Sequence, residues 1–351
     1  MKHLALISLI TLTLISGCDS NPTKEQLDGK VHYAIIRGDL EIAKKVLAQS
    51  DDPAALTTKY LPTAMIHTQQ NHDDMIKLFV NNGADVNAPA KRPLVNDGLT
   101  FQNITPDLLR WLIENGYDVN QADVHGRTAL SLCLERLNYS NFDKSSDFYK
   151  MFQILLDNDA DVNISTPHRP ILHEIVVFGN TQPKHKELLK LLIDAGADLE
   201  LKDKSGRTVL LTAIEYGKEG MAELLLEHGA SYDTSDEHGT TALFKAANMG
   251  FVTCVEMLIA QGADVNKVNS GGFTPLHFAV SGGNEEIVKM LLDNGAKVNT
   301  VNENSQTPLD RADRYTTCRP DAGTDVKKQK LIDLLTQHGA KRATELKETN
   351  A

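Results

Sequence analysis

The chain is poor in cysteine, in tryptophan and in long apolar runs. Its 351 residues include four cysteines and one tryptophan, and aromatic residues make up 5%. Cysteines this sparse, with no CxxC pair among them, exclude a disulfide framework and a cysteine-rich zinc module. The longest apolar run, from Leu4 to Ile15, has 12 residues. Because a membrane-spanning helix needs roughly 20 residues, this run predicts no transmembrane helix.

Basic residues are also fewer than acidic residues. The chain has 36 lysines and arginines against 47 aspartates and glutamates, which gives a formal net charge of −11. A surface this acidic disfavours binding to nucleic acid and to anionic lipid headgroups. It favours solubility, with a basic partner as the alternative interpretation. The hydrophobic fraction of 41% is that of a folded protein and argues against general disorder.

Sequence motifs of catalysis are absent as well. The sequence has no G-x-S-x-G, no H-E-x-x-H, no P-loop and no G-x-G-x-x-G. His168, His173 and His185 lie close in sequence but without the spacing of a zinc site. Cys133 and Cys254 occupy apolar positions and are expected to be buried. We therefore predict no enzyme, no catalytic residue, no metal, no cofactor and no small-molecule substrate.

The N-terminus has the pattern of an export signal. Lys2 and His3 precede the apolar run, which ends in Ile15-Ser16-Gly17-Cys18. This ending resembles the lipobox of bacterial lipoproteins. The resemblance implies that residues 1–17 are a cleaved signal peptide and that Cys18 carries acyl chains, palmitate among them. Asp19 resembles the inner-membrane retention signal of enteric-type bacteria. We expect an anchored protein of the cell envelope that faces the periplasm; the alternative is an ordinary secretory signal with a chance cysteine.

The remainder of the chain is repetitive. Thr208, Thr241, Thr274 and Thr307 follow one another at intervals of 33 residues. Within one repeat, Thr274-Pro275 suits a helix start, and Gly283 interrupts the helical pattern before a second amphipathic segment. One such helix pair cannot bury its own apolar face, so neighbouring pairs must stack. The period, with T-P-L-H and G-A-D-V-N, resembles the ankyrin repeat.

This resemblance implies an all-α ankyrin-repeat solenoid of about nine repeats, each with two helices and a projecting finger. We predict a tether over residues 18–26, repeats over 27–343 and a flexible tail over 344–351. Insertions are expected near 138–149 and 315–328, because the corner spacing there exceeds 33 residues. Asp159 replaces the usual corner glycine and is expected in a left-handed conformation at a cost of about 1 kcal/mol.

Ankyrin-repeat proteins bind other proteins, and the resemblance implies which positions vary. The last two positions of each first helix face the concave side. There the sequence places a row of large apolar side chains, which are Phe178, Tyr216, Met249 and Tyr315. Finger tips add Lys204, Glu237, His238 and Glu303. The first insertion adds Tyr139, Phe142, Phe148 and Tyr149, which either contact a partner or pack on one another.

Three functional hypotheses follow. Anchored repeat lipoproteins of this kind resemble immunity proteins, which neutralise antibacterial toxins such as type VI phospholipases. On this hypothesis, an acidic and aromatic face blocks the active site or docking surface of the toxin. The second hypothesis is a general envelope scaffold for housekeeping or stress-response partners. The third hypothesis, an enzyme or an accessory subunit of one, lacks any supporting motif.

Overall fold

The structure is a computed structural model, and it describes residues 22–67, 70–88, 103–123, 125–139, 145–165, 169–179, 183–312 and 324–348. Two compact units divide the chain. The N-terminal unit is Met1–Asp161 and the C-terminal unit is Val162–Ala351. Cys18 and Asp19 lie outside the described residues, as do Phe142, His168, Tyr315 and the segment 89–102. Among the described helices, none is long and apolar enough to cross a membrane.

The N-terminal unit is built from pairs of helices. Its described helices are α1 (Lys24–Arg37), α2 (Leu40–Leu47), α3 (Pro53–His67), α4 (His72–Asn81), α5 (Pro106–Glu114), α6 (Ala129–Tyr139) and α7 (Asp147–Asp157). The pairs α1–α2, α3–α4 and α6–α7 each form one repeat. Helix α5 is the second helix of the third repeat.

The C-terminal unit continues the same pattern in repeats 5 to 9. Its described helices are α8 (Ile171–Phe178), α9 (Pro183–Asp194), α10 (Val209–Glu215), α11 (Glu219–Glu227), α12 (Ala242–Met249), α13 (Val252–Ala260), α14 (Pro275–Gly282), α15 (Glu285–Asp293), α16 (Thr324–Gln337) and α17 (Ala343–Glu348). The first helices α8, α10, α12 and α14 pack in series, and so do the second helices α9, α11, α13, α15 and α16. The core lies between these two layers, where Leu210, Leu225 and Leu258 are buried.

Helix ends follow from local chemistry. In repeat 8, Pro275 occupies the first turn of α14, where its missing N–H costs no hydrogen bond. Gly283 ends α14 in the left-handed conformation, at φ 75°. The side chain of Asn284 then caps α15 by accepting a hydrogen bond from Ile287 N–H at 3.1 Å. The chain therefore turns sharply between the two helices of a repeat.

Asparagine side chains join successive corners. Asn266 donates from Nδ2 to the Gly295 carbonyl at 3.0 Å, and its Oδ1 accepts from Lys297 N–H at 2.7 Å. Asn299 bonds the corner of repeat 9 in the same way, through the Gly339 carbonyl and Lys341 N–H. Each asparagine thus satisfies two backbone groups of the next repeat and sets the stacking register.

Buried histidines join fingers to first helices, where a finger is the segment between the second helix of one repeat and the first helix of the next. His277 Nδ1 accepts from Thr274 N–H at 3.1 Å, so Nε2–H donates to the Gln306 carbonyl at 3.2 Å. His173, at the equivalent position of repeat 5, bonds the Arg207 carbonyl at 3.0 Å and so has the same structural role. Its Nδ1 is buried with no partner among the described residues, because Pro170 replaces the threonine and has neither N–H nor hydroxyl.

Several boundaries differ from the predicted ones. Asp159 adopts φ 59°, as expected for its left-handed corner. The predicted insertion over 138–149 is shorter, because α6 continues to Tyr139 and Ser146 caps α7. Helix α1 starts at Lys24, inside the predicted tether, because Thr23 and Gln26 form a capping box. Helix α17 occupies most of the predicted flexible tail.

Candidate functional site

Three large apolar side chains lie at the ends of successive first helices. Phe178 is the last residue of α8, Tyr216 caps α10 and Met249 is the last residue of α12. Their exposed fractions are 49%, 43% and 44%. We call these three residues the helix-end row. Single exposed apolar residues are normal, but a repeated one at the same position of stacked repeats forms a patch.

The row is exposed because its position has no core to fill. In α10 and α12 the core is already filled by the preceding residues, which include the buried Ala213, Ile214, Ala246 and Ala247. The chain then turns away through a glycine. In repeat 8 the row stops at Gly282, because a Cβ atom there would clash with the backbone carbonyl oxygen of Asn248. The backbones of α12 and α14 approach closely at this point, and the row has no side chain.

A chain of ion pairs runs beside Tyr216. Arg207 Nη2 lies 2.8 Å from Asp203 Oδ2, and Arg207 Nη1 lies 2.7 Å from Glu215 Oε2. Lys245 Nζ lies 3.8 Å from Glu215 Oε2 and 3.1 Å from Asp236 Oδ2. Two cations and three carboxylates from two adjacent repeats are thus connected. These ion pairs hold the first-helix ends and the fingers together as one surface.

Hydrogen bonds and ion pairs favour the charged forms of Asp203 and Asp236. Burial favours the neutral form of Asp203, but hydrogen bonds from the Arg207 side chain and backbone outweigh it and lower the pKa of Asp203. For Asp236, burial is outweighed by hydrogen bonds from Thr240 N–H and Lys245, and the pKa is lowered. Beside the row, three carboxylates lie against two cations, so Arg207 and Lys245 neutralise the expected acidic face there only in part. Acidic residues also lie on α11, which carries three glutamates, of which Glu223 lies 3.8 Å from Lys186 Nζ.

The predicted finger-tip residues lie on tight turns. Asp203 Oδ1 accepts from Ser205 N–H and Arg207 N–H, at 2.8 and 3.0 Å, which fixes the turn that carries Lys204. Asp236 makes the equivalent bonds to His238 and Thr240 N–H. All four predicted tip residues are exposed, and they are Lys204, Glu237, His238 and Glu303.

The predicted aromatic cluster of the insertion is not one surface group. Tyr149 is only 6% exposed, and Phe148 is half-buried. Both lie in the first turn of α7 rather than in a loop, since Ser146 starts that helix. Tyr149 belongs to the core and is withdrawn as a partner contact. The side chain of Tyr139, together with Phe142 and Tyr315, lies outside the described residues.

Two exposed residues of the fingers escaped the sequence analysis. Val268 is 55% exposed and Val301 is 45% exposed, and both lie on fingers. They are 33 residues apart and so occupy the same position of successive repeats. We call them the finger valines. The sequence carried a signal that could have identified them. Each is a β-branched apolar residue in an otherwise polar finger, and the two are separated by one repeat period.

The two described cysteines have buried thiols. Cys254 is fully buried, and burial raises the pKa of its thiol to about 12; burial also raises the pKa of the Cys133 thiol well above its usual value. Both cysteines have inert packing roles. No group of three or more His, Cys, Asp or Glu side chains is placed to hold a metal ion within the described part of the chain.

Comparison with known proteins identifies the repeats. The family described as ankyrin repeats (3 copies) matches residues 172–269, 229–302 and 253–319. The chain is 31% identical to human ankyrin repeat and SOCS box protein 6 over 112 residues, which are 31% of this chain and 24% of that protein. It is 28% identical to an ankyrin repeat protein of Acanthamoeba polyphaga mimivirus over 113 residues, which are 30% of this chain and 20% of that protein. The chain thus spans less than a quarter of the length of these relatives.

These matches define the class of the protein. Residues 172–319 carry ankyrin repeats, and the described helices form an all-α ankyrin-repeat fold. Ankyrin repeats are interaction modules, and such modules typically have no catalytic activity. The repeats therefore imply a scaffold for binding a protein partner.

Proposed function

We propose that this protein is a lipid-anchored periplasmic binding protein, and most specifically an immunity protein that neutralises an antibacterial toxin such as a type VI phospholipase. The observation that carries the binding role is the exposed helix-end row, since large apolar side chains at repeated open positions have no packing purpose. Tyr and Met are residue types favoured at protein interfaces. The ion pairs beside the row pre-organise the surface and lower the entropy cost of association.

The anchor supports the periplasmic part of the proposal. The signal-like segment and Cys18 imply acylation, and two or more acyl chains hold a protein stably on a membrane. Asp19 favours the inner membrane. A toxin that attacks phospholipids acts at that same surface, so anchoring raises the local concentration of the inhibitor where it is needed.

The toxin role is tested by genetics and by binding. An immunity protein predicts a toxin gene beside its own, one-to-one binding of the two products, and self-intoxication of cells when the immunity gene is deleted. Replacing Cys18 with serine should remove the anchor and weaken protection. If deleting the gene is harmless in competition between sibling cells, and no toxin gene lies beside it, the immunity role is wrong. The proposed function would then be the general envelope scaffold.

The surface is tested with purified variants. Met249→Glu places a charge in the row and should weaken the complex by about 2 kcal/mol, or about 30-fold in Kd, and Tyr216→Ala should act in the same direction. Ala260→Glu is the matched control, because it adds the same charge on the exposed side of the second helix in the same repeat. Capture of the toxin by both row variants at the wild-type level would show that the row is not the interface.

A further inference from the structure

The first repeat differs in charge from the rest of the chain. Helices α1 and α2, with the turn between them, cover residues 24–47 and carry five lysines and arginines against four aspartates and glutamates. Residues 48–351 carry 30 against 42. The formal charge of −11 therefore belongs to the later repeats, whereas the first repeat has a formal charge of +1.

Part of this positive charge faces away from the second repeat. Asp28 marks the side of α1 that faces α3, since its Oδ2 accepts a hydrogen bond from Lys59 Nζ at 2.7 Å. At about 100° per residue, Lys30, Tyr33 and Arg37 lie within about 40° of the opposite direction. These three residues therefore form one stripe on the side of α1 that is turned away from the second repeat.

Helix α2 adds a further cation to this stripe. Tyr33 and Arg37 line one open cavity of about 620 Å³ together with Leu40 and Lys44 of α2, and the turn before α4 lines it as well. Arg37 lies over the Tyr33 ring with Cζ 5.7 Å from the ring centroid, a cation–π contact. We call the stripe and Lys44 the outer face of the first repeat.

The protein neutralises only one of the three cations of the outer face. Lys44 Nζ lies 3.0 Å from Glu41 Oε1. Lys30 and Arg37 have no carboxylate partner among the described residues. Asp39 lines the same cavity, but it caps α2 by accepting from a backbone N–H at 3.0 Å, where the positive end of the helix dipole offsets its charge. The outer face is thus open to anionic groups.

The proposed anchor is attached close to this face. Thr23 caps α1 by accepting a hydrogen bond from Gln26 N–H, so five residue steps separate Cys18 from the start of the helix. An extended chain covers at most about 3.6 Å per residue, and five steps therefore reach about 18 Å. Acylation of Cys18 thus holds the start of α1 within about 18 Å of the lipid surface.

We propose that the outer face of the first repeat lies on the anionic surface of the membrane, with its three cations at the phosphate groups of the lipids and Tyr33 at the headgroup level. This inference rests on the proposed lipid anchor and goes beyond it, because it specifies which side of the first repeat meets the bilayer. Tyrosine is favoured at the membrane–water interface. Each lysine or arginine near an anionic surface strengthens binding about fivefold.

A polar cap for solubility is the alternative explanation of the outer face. The terminal repeat of a solenoid needs a polar outer side, because no further repeat covers it. Charge of either sign satisfies that need, and the later repeats satisfy it with an excess of acidic residues. Contact with an anionic surface requires the positive sign. The positive sign beside the attachment point of the acyl chains therefore favours the membrane.

The test is quenching of tryptophan fluorescence by brominated lipids, with the full-length lipidated protein in vesicles of phosphatidylethanolamine and phosphatidylglycerol. Trp111 is the single tryptophan of the chain, so Trp111→Phe gives a background without tryptophan. Tyr33→Trp then reports from the outer face. His32→Trp is the matched control, because this exposed residue lies on the same helix about 100° further round. Circular dichroism checks that each variant folds, and mass spectrometry of the N-terminal peptide checks that Cys18 carries acyl chains.

The brominated lipids should quench the tryptophan at position 33 more strongly than the one at position 32. Replacing phosphatidylglycerol by phosphatidylcholine, which has no net charge, should remove the difference. Raising the salt concentration should reduce it, because salt screens the attraction between exposed charges.

Charge variants test the role of the cations in the Tyr33→Trp background. Lys30→Gln combined with Arg37→Gln should lower the ratio of docked to undocked protein about 30-fold and so remove the excess quenching. Lys289→Gln combined with Lys327→Gln is the matched control, since it removes two exposed lysines of α15 and α16. This control should leave the quenching unchanged.

Three outcomes would contradict the inference. Equal or weaker quenching at position 33, in a protein whose Cys18 carries acyl chains, would overturn it and leave the anchor in place. Stronger quenching at position 33 that survives the loss of Lys30 and Arg37 would show that anionic lipid is not what this face recognises. A Cys18 without acyl chains would contradict the proposed anchor and the inference together.

Discussion

Acidification is expected to destabilise the C-terminal unit through His277. This ring is fully buried, and its Nδ1 accepts a hydrogen bond from Thr274 N–H, so the folded state holds it neutral. Burial lowers its pKa to about 4, which outweighs the opposing hydrogen bond to the Gln306 carbonyl. In the unfolded chain the pKa returns to about 6.5. Protons therefore bind the unfolded state first as the pH falls.

The size of the effect follows from linkage. The stabilisation from neutral His277 is complete above pH 6.5 and is lost as the pH falls from 6.5 towards 4. For pKa values of 6.5 and about 4, the loss is about 2 kcal/mol at pH 5, and at most about 3 kcal/mol at lower pH. Below pH 4 both states are protonated and the contribution of His277 changes no further.

The assay compares wild type with His277→Gln by urea unfolding, followed by circular dichroism at pH 7.5, 6 and 5. The variant should be less stable at pH 7.5, because hydrogen bonds to Thr274 and Gln306 are lost or weakened. It should also lose about 2 kcal/mol less than wild type between pH 7.5 and 5, since Gln does not titrate. His173 and other groups act equally in both proteins and cancel. Parallel stability profiles for the two proteins would refute the reasoning.

Three further changes should alter the free energy of unfolding, measured by urea titration at pH 7.5. Pro170→Thr supplies the N–H and hydroxyl that His173 Nδ1 lacks and should stabilise by about 1 kcal/mol; unchanged or lower stability would contradict the capping role. Asp159→Gly relieves the left-handed strain and should stabilise by up to about 1 kcal/mol, whereas Asp159→Ala should destabilise. Asn266→Ala removes two hydrogen bonds between repeats and should cost about 2 kcal/mol; a neutral outcome would mean that the corner asparagines do not hold the stack.

Local structure followed closely from the sequence. Thr274-Pro275, Gly283 and the corner Asp159 have the conformations that their chemistry predicts, because each depends on neighbours within a few residues. The exposure of Tyr216 and Met249 at first-helix ends also agrees with the period of 33. Prediction was weakest at the insertion, where Tyr149 proved to be a core residue of α7. A helix that starts at Ser146 could not be placed from the repeat alone.

Contacts between repeats could not be predicted from the sequence, and only the tertiary structure shows them. The sequence by itself determined the period, the helix pairs and the position of the helix-end row, since these depend on residue type and spacing along one chain. Only the structure showed that Lys245 pairs with Glu215 of the preceding repeat and that Gly282 lies against the Asn248 carbonyl. Such contacts join residues about 30 positions apart, and they form only when stacking brings successive repeats within a side chain's reach.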